Sequence, residues 1–394
     1  MSVRRIAILG STGSVGKSTL DVISKNRDKF DVIAIGARKS VDDLIEQVKE
    51  FSPKYVVITD EIAAKEYSEK SRSLDQAHEL IIGEKGLERI ASLDEVDYVM
   101  AAIVGGAGLL STLKAARAGK TILLANKEAL VMSGELLISE AKKNNATLLP
   151  IDSEHNAVFQ CMQSITSKDI GSSVDRITIT ASGGPFLHTP LDDLEDVTPE
   201  QACAHPNWKM GRKISVDSAT MMNKGLEVIE ACLLFNVTVS QVNVVIHPQS
   251  IVHAMVSYKD GSILSHLGYP DMRVPISHAI AWPQRIHSGV EELDITQCEK
   301  LEFFAPDYER FPCLKLALEV QQMGKSAPTV MNAANEVAVQ SFLDGKIKFS
   351  QIFNVVSNTI ESVEPVSMDS VETILQIDHT AREFAKQYIN SISG

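Results

Sequence analysis

Short β-branched runs alternate with amphipathic stretches through the first 150 residues, and this rhythm limits the fold more than any other feature of the sequence. Apolar runs of about four to eight residues indicate buried strands, and the periodic stretches between them indicate helices. Strands and helices that alternate in this way form a parallel, doubly wound sheet. The predicted strands are Arg5–Leu9, Asp31–Ile35, Tyr55–Ile58, Glu79–Ile82, Asp97–Met100, Thr121–Leu124 and Thr147–Leu149.

After residue 150 the segments become longer and less regular. Predicted strands at 174–180, 243–246, 251–258 and 262–264 indicate a second, largely antiparallel sheet, and 217–235 has the periodicity of one long helix. The sequence therefore predicts an α/β protein with an N-terminal doubly wound (Rossmann-like) parallel sheet, a central α+β domain and a C-terminal helical bundle. The helices of the bundle, whose expected role is to brace the other domains, are predicted at 313–323, 328–343, 350–362 and 370–389.

Composition and charge exclude several classes of protein. The chain is 44% hydrophobic and 23% charged, as in globular proteins, and its net charge of −13 disfavours a nucleic-acid partner. No apolar run approaches the roughly 18 residues of a membrane-spanning helix, and no signal-peptide core follows the N-terminus. The five cysteines are scattered without a C-x-x-C pair, which argues against disulfides and zinc. We expect a cytoplasmic protein with reduced thiols and no membrane partner.

Three glycines, Gly10, Gly13 and Gly16, lie in the turn between the first predicted strand and the next helix. Backbone N–H groups and the helix dipole at such a turn can hold the pyrophosphate of a dinucleotide. Residues 11–18 also read S-x-x-x-x-G-K-S, which is one residue short of a P-loop, so a nucleotide triphosphatase is an alternative. Ser11 in place of the first glycine counts against the P-loop, and a tight turn without any ligand is a third interpretation.

The turn after the second predicted strand contains Arg38 and Lys39 and no carboxylate. In a dinucleotide site an acid at this point binds the ribose 2′-hydroxyl of NADH, whereas a cation accommodates the 2′-phosphate of NADPH. The turn therefore favours NADPH as the cofactor. A solvated basic turn is the alternative.

Asp152 and Glu154 directly follow the last strand of the first domain. Residues two apart in an extended segment project to the same side, and two carboxylates suit Mg²⁺ or Mn²⁺. Alternatively, Asp152 and Ser153 cap the helix that follows. A third carboxylate, Glu227, can share a helix face with Asn223 and Lys224, either around a polar ligand or as a surface ion pair.

Two loops point to an anionic substrate. Residues 181–185 end a strand with glycines that let backbone amides approach a phosphate. His205 and Trp208 lie in a loop flanked by proline and glycine, near 205–211, that suggests a lid. The alternative is that Trp208 belongs to the core and His205 is a hydrogen-bonded structural residue.

Six ordered motifs resemble those of one enzyme family, the 1-deoxy-D-xylulose 5-phosphate reductoisomerases. They are Gly10–Gly16, Leu124–Glu128, Ile151–His155, Ser182–Phe186, His205–Trp208 and Met221–Glu227. The resemblance implies a homodimer that uses NADPH and Mg²⁺ or Mn²⁺ to rearrange and reduce a small phosphorylated sugar. Substrate and product would be 1-deoxy-D-xylulose 5-phosphate and 2-C-methyl-D-erythritol 4-phosphate, in the non-mevalonate route to isoprenoid precursors.

The resemblance also implies roles for segments and residues. Residues 1–150 would bind NADPH, 151–284 would form the catalytic domain, 285–312 a linker and 313–394 the helical domain. The metal would be held by Asp152, Glu154 and Glu227. Catalytic and substrate contacts would come from Lys127, Ser153, Glu154, Ser182, His205, Trp208, Ser218, Asn223, Lys224 and Glu227. Cofactor positions would be Thr12, Gly13, Ser14, Val15, Gly36, Arg38, Lys39, Ala102, Asn126, Glu128 and Gly211. A P-loop phosphotransferase and a non-catalytic nucleotide sensor remain as alternatives.

Overall fold

The computed structural model describes residues 3–162, 170–208 and 210–392, which divide into two compact units. The first unit comprises Met1–Ala129, Leu137–Asn156 and Asp271–Glu291, and the second comprises Leu130–Leu136, Ala157–Pro270 and Glu292–Gly394. This division is coarser than the four segments predicted from the sequence, which stay a prediction.

A seven-stranded parallel sheet forms the centre of the first unit, with strand order β4-β3-β2-β1-β5-β6-β7. All seven predicted strands are confirmed. They are β1 (Arg4–Leu9), β2 (Phe30–Ala37), β3 (Tyr55–Ile58), β4 (Glu79–Ile82), β5 (Tyr98–Ala101), β6 (Thr121–Leu124) and β7 (Thr147–Pro150). The strand order reverses between β1 and β5, which is where open α/β sheets bind their ligands.

Helices connect these strands and cover their apolar side chains. They are α1 (Ser14–Ser24), α2 (Val41–Phe51), α3 (Glu61–Lys70), α4 (Glu84–Ala91), α5 (Leu109–Arg117), α6 (Lys127–Ser133) and α7 (Glu135–Lys143). The central strand β1 is buried from Ile6 to Leu9 without alternation, as expected for a parallel strand that is covered on both faces.

The second unit contains a four-stranded sheet with strand order β11-β10-β8-β9. Strand β10 runs antiparallel to both β8 and β11, and β9 runs parallel to β8, so the prediction of a largely antiparallel sheet is confirmed. Its elements, and those that precede and follow them, are α8 (Ser153–Cys161), α9 (Ile170–Ser173), β8 (Val174–Ala181), α10 (Pro199–Cys203), α11 (Arg212–Ala219), α12 (Met222–Phe235), β9 (Val242–Ile246), β10 (Val252–Tyr258) and β11 (Ile263–Leu267).

The prediction of one helix over 217–235 is wrong, because the chain breaks between α11 and α12. Met221 has a left-handed backbone with φ of 60°. The Thr220 hydroxyl donates to the Asp217 carbonyl and accepts from the Met222 N–H, both at 3.3 Å. A threonine side chain that bonds to nearby backbone in this way competes with the helical pattern.

The four predicted C-terminal helices are confirmed. They are α14 (Pro312–Met323), α15 (Ala327–Leu343), α16 (Gln351–Ser362) and α17 (Val371–Ile392), and they follow α13 (Arg273–Ala281). The sequence did not predict α13, which packs against α1 in the first unit. Among the described helices, none is long and apolar enough to cross a membrane.

Candidate active site

The glycine turn between β1 and α1 has the shape that an anion site requires. Gly10 has φ of +87°, and a Cβ added there would lie 2.6 Å from the Ala102 carbonyl oxygen. A Cβ on Gly16 would overlap the Gly10 carbonyl, whereas one on Gly13 would meet nothing closer than 3.4 Å. Gly13 precedes the first turn of α1, which has no acidic residue and, within the described chain, no side-chain cap. The amides at this helix start are therefore suited to an anion.

The residues of this turn that the family resemblance assigns to the cofactor are accessible at the protein surface. Gly13 and Ser14 are exposed, and Thr12 and Val15 are half-buried. Lys17, the lysine of the P-loop alternative, is exposed and pairs with Asp43 of α2 at 3.0 Å. Because its ammonium group pairs with a carboxylate of α2, the geometry counts against the P-loop interpretation.

The end of β2 supplies two exposed cations beside the glycine turn. The buried Gly36 accepts hydrogen bonds from the Gly10 and Ser11 N–H groups, both at 2.9 Å, which fixes the two turns together. Lys39 Nζ lies 3.5 Å from Asp60, whereas Arg38 has no ion pair within the described residues. The carboxylate of Asp60 also caps α3, and the N–H of Ala63 and the nearby Lys39 lower its pKa.

Sequence reasoning missed Asp60. It follows β3, and only the parallel pairing of β2 with β3 brings it beside Lys39. The turn after β2 itself has no carboxylate, as its sequence shows. Its lysine, Lys39, nevertheless pairs with the carboxylate of Asp60. Arg38 is therefore the better of the two cations for a phosphate.

Asn126 is buried and bonded to protein at both ends of its amide. Its Nδ2 donates to the carbonyls of Ile103 and Gly105, the latter at 2.9 Å, and its Oδ1 accepts from the Ala129 N–H at 3.1 Å. These bonds fix the loop that follows β5, in which Ala102 is half-buried. Glu128, in the first turn of α6, is buried.

Lys127, Asp152, Ser153 and Glu154 lie together at the carboxyl ends of β6 and β7. Lys127 is 5% exposed, and its ammonium group forms an ion pair with Asp152. Asp152 Oδ1 accepts from the Ser153 N–H at 3.1 Å, and the Ser153 hydroxyl donates to Glu154 at 2.7 Å. Carboxylate oxygens of Asp152 and Glu154 lie within 4.8 Å of each other.

These distances suit a divalent cation. Mg²⁺ binds oxygen ligands at about 2.1 Å, so two oxygens less than 5 Å apart can share one ion after a small adjustment. The helix-cap alternative describes the same local structure, since α8 begins at Ser153 and Asp152 directly precedes it.

Glu227 of α12 is almost completely buried, at 1% exposure. It accepts a hydrogen bond from Asn223 at 2.5 Å and forms an ion pair with Lys224, which is 3% exposed. The alternative of a surface face is wrong, because all three residues lie in the interior or at its edge. Burial of this set is costly unless its charges are compensated, and the ion pair joins its one carboxylate to its one ammonium group.

Ser182 and His205 are brought together from separate loops, with Ser182 Oγ and His205 Nε2 2.9 Å apart. His205 Nδ1 accepts from the N–H groups of Asn207 and Trp208, so it carries no proton and Nε2 is the donor. Burial lowers the pKa of His205 to about 4, which keeps the ring neutral. Ser182 Oγ also accepts from the Gly184 N–H at 3.1 Å, which leaves its own proton for another acceptor.

Trp208 is half-buried, between the exposed and core alternatives, and its ring lies edge-on to His253 with centroids 6.4 Å apart. Asn207 anchors the loop, since its side chain donates to Pro248 O at 2.7 Å and to Ser250 Oγ at 2.9 Å. His253 was not predictable from the sequence, because it lies in no local motif. For Asn207, its place between His205 and Trp208 was a usable signal.

Gly211 and Ser218 mark the two ends of α11. Gly211 is exposed and precedes the first turn of the helix. Ser218 is half-buried in the last turn, and a Cβ added to Gly184 would lie 2.8 Å from the Ser218 carbonyl oxygen. The Ser182–Gly184 loop thus packs directly on the end of α11 that carries Ser218.

The doubly wound sheet, its glycine turn, the cation after β2 and the carboxylates after β7 define a class, the dinucleotide-dependent α/β oxidoreductases with a metal site. Comparison with known families narrows this class. The family model of 1-deoxy-D-xylulose 5-phosphate reductoisomerase matches residues 6–134, and two models of the C-terminal domain of that enzyme match 148–235 and 267–384. The chain belongs to the 1-deoxy-D-xylulose 5-phosphate reductoisomerase family.

Individual relatives agree with this assignment along the whole chain. The reductoisomerase of Methylococcus capsulatus is 55% identical over 99% of this chain and 100% of its own length. A crystal structure of the enzyme with NADPH, fosmidomycin and magnesium is 44% identical, covers 99% of both chains and has a TM-score of 0.95. The Zymomonas mobilis enzyme in complex with NADPH is 46% identical, with a TM-score of 0.91 over 99% of this chain and 100% of that one.

Proposed function

We propose that the residues described above carry out the reaction of the family. As a member, the chain is an NADPH-dependent oxidoreductase that converts 1-deoxy-D-xylulose 5-phosphate to 2-C-methyl-D-erythritol 4-phosphate with a divalent metal, in the biosynthesis of isoprenoid precursors. The observation that carries the residue assignment is the set of Lys127, Asp152, Ser153 and Glu154 at the carboxyl edge of a dinucleotide-binding sheet.

We assign the metal to Asp152, Glu154 and Glu227. When bound, Mg²⁺ or Mn²⁺ supplies Lewis-acid polarisation of the substrate carbonyl. The burial of Glu227 and the partial burial of Asp152 support this assignment, because both carboxylates are kept from bulk water and are oriented by neighbours. Lys127 and Ser153, which contact those carboxylates, are placed to bind the oxygens of the sugar.

We assign the phosphate and hydroxyl contacts to Ser182, His205, Ser218, Asn223 and Lys224. The neutral His205 donates through Nε2 to Ser182, whose own proton is then directed to an anionic acceptor. Lys224 is buried, where charges interact more strongly than at the surface, and its ammonium group pairs with Glu227 in the structure. Trp208, on its anchored loop, covers the substrate and keeps water from it.

We assign NADPH to the carboxyl edge of the parallel sheet. Thr12, Gly13, Ser14 and Val15 would receive the pyrophosphate at the start of α1, and Gly36, Arg38 and Lys39 the adenosine end with its 2′-phosphate. Ala102, Asn126, Glu128 and Gly211 would complete the site. Because Asn126 is already bonded to backbone, its contribution includes holding the loop after β5 in place.

One assay tests the proposal. NADPH absorbance is followed with 1-deoxy-D-xylulose 5-phosphate and Mg²⁺ or Mn²⁺, with a chelator as control. Oxidation that requires both the sugar phosphate and the metal is the expected result. ATP hydrolysis in its place would support the P-loop alternative, and NADPH binding without any turnover would support a sensor.

We also propose a homodimer in the cytoplasm. The edge strand β11 supports the dimer, since Ile263, Leu264 and Leu267 are 60%, 47% and 39% exposed on an unpaired edge of the described sheet. The five free cysteines are consistent with a reducing compartment. Sedimentation equilibrium tests the first proposal, with a monomer mass contradicting it. Fractionation of cells that express the chain tests the second.

A further inference from the structure

A buried hydrogen bond links helix α15 of the C-terminal bundle to α11. Asn335 is 0% exposed, and its Nδ2 donates to Asp217 Oδ1 at 2.8 Å. The other carboxylate oxygen of Asp217 lies 2.8 Å from Lys213 Nζ, one turn earlier on α11. Asp217 is thus a buried carboxylate held by one group from its own helix and one from the bundle.

This hydrogen bond packs two helices together at a cost in folding free energy. Asn335 lies among the buried apolar residues Met331, Ala334 and Ala338 of α15, and its Oδ1 has no hydrogen-bond partner within the described part of the chain. Burying an amide with one group unsatisfied is costly, and an apolar pair at the same place often stabilises a fold more. Unlike apolar contacts, however, the bond requires one particular rotation of α11 about its axis.

Helix α11 needs such a constraint because it does not continue into α12. It has eight residues and ends at the Thr220–Met221 break, so its rotation is set by packing against its neighbours, including α12 and α15, and not by a continuous helix. Ser218 follows Asp217 and points about 100° around the helix from it. Its backbone contacts the Ser182–Gly184 loop. A rotation of α11 would therefore move Ser218 relative to Ser182 and its partner His205.

We propose that Asn335 is a positioning residue for the substrate phosphate: it orients α11, and with it Ser218, through Asp217. The inference rests on the substrate contact assigned to Ser218 under the proposed function. It gives the C-terminal bundle, which carries none of the sequence motifs, a defined part in substrate binding.

The test compares Asn335→Leu with Asn332→Leu in the full-length enzyme. Asn332 is equally buried on the same helix, but its side chain bonds to Glu336 of α15 itself, at 3.2 Å. Both changes keep the branching of the side chain, add the same volume and remove one buried amide, so they control each other for packing. We expect Asn335→Leu to raise the KM for the sugar phosphate about threefold to tenfold, the worth of one positioned hydrogen bond. The KM for NADPH should stay within about twofold, and Asn332→Leu should leave both constants near wild type.

A double variant shows whether the effect passes through Ser218. Ser218→Ala should itself raise the KM for the sugar phosphate, and adding Asn335→Leu should then raise it little further. If the two leucine variants raised the KM for the sugar phosphate equally, or if Asn335→Leu and Ser218→Ala were fully additive, this inference would be overturned. The proposed function would be unaffected. A wild-type KM in Ser218→Ala would overturn the role proposed for Ser218 and this inference with it. If Asn335→Leu does not fold, as judged by its thermal midpoint, Asn335→Ser and Asn332→Ser replace the pair with the same expectations.

Discussion

Glu227 accepts from Asn223 at one oxygen and pairs with Lys224 at the other. In Glu227→Gln the shape and the Asn223 contact can persist, but the negative charge that a divalent cation needs is lost. We predict that kcat/KM falls by on the order of 100-fold and that the Mg²⁺ concentration for half-maximal rate rises, while NADPH affinity is unchanged. Steady-state rates over a series of Mg²⁺ concentrations measure kcat/KM and the Mg²⁺ requirement. A fluorescence titration measures NADPH affinity. The exposed Glu319→Gln is the control, and wild-type turnover in Glu227→Gln would remove Glu227 from the metal site.

Arg38 and Lys39 are both exposed, but among the residues that the structure describes only Lys39 has a carboxylate partner, Asp60. We predict that Arg38→Ala raises the KM for NADPH about tenfold, as loss of a charge-assisted contact to the 2′-phosphate would. Lys39→Ala should have a smaller effect, because part of its charge is already neutralised. Rates with NADH, which lacks that phosphate, are the internal control. A larger effect of Lys39→Ala would reverse the roles of the two residues.

The glycine turn between β1 and α1 allows two matched substitutions, Gly16→Ala and Gly13→Ala. Gly16 has no room for a Cβ, so Gly16→Ala should destabilise the β1–α1 unit and lower the thermal midpoint by several degrees. Gly13→Ala meets nothing closer than 3.4 Å, so we predict unchanged stability but a clear loss of NADPH affinity, since the methyl group would occupy the anion's approach. Thermal unfolding and NADPH titration separate the two effects. Unchanged affinity in Gly13→Ala would place the pyrophosphate elsewhere.

The strands were predictable because each has its own β-branched run, and the parallel order then places their following turns at one edge. The break between α11 and α12 was not predictable, because Met221 is not a residue that favours positive φ and a threonine such as Thr220 is common inside predicted helices. Helix α13 was not predicted because it is buried from Pro275 to Ala281 and its polar residues Ser277 and His278 lie inside, so the sequence does not alternate between an apolar and an exposed polar face.

The same limit applies to the candidate site. Asp152, Glu154 and the glycines stand out locally, because charges after a strand and glycines before a helix are unusual in themselves. The pairing of Lys39 with Asp60 and the contact of Trp208 with His253 depend on neighbours that are distant along the chain. No pattern within a single segment contains that information.

The pKa values of three histidines determine how the stability of the folded chain depends on pH. Burial lowers the pKa of His205 and His278 to about 4 and also lowers that of His247, from an ordinary value of 6.5. In the unfolded chain these rings take up protons at higher pH than in the fold. Their contribution to stability is therefore complete above about pH 6.5 and is lost as the pH falls toward 4.

We accordingly predict that the free energy of unfolding decreases steadily from pH 6.5 to pH 4.5, as measured by denaturant titration over a pH series. His278→Gln, which cannot be protonated, should show a weaker pH dependence than wild type. His379→Gln, at an exposed position, should not. Parallel curves for wild type and His278→Gln would show that other groups account for the pH dependence.

The break at Thr220–Met221 has a consequence for how this enzyme can vary. Ser218 and Glu227 are only nine positions apart, yet they lie on separate helices. If both residues lay on one continuous helix, a shift that improved the contact of Ser218 with its ligand would displace Glu227 by the same movement. With the roles proposed above for Ser218 and Glu227, two separate helices would let substrate preference change through α11 while the carboxylate on α12 stays in place.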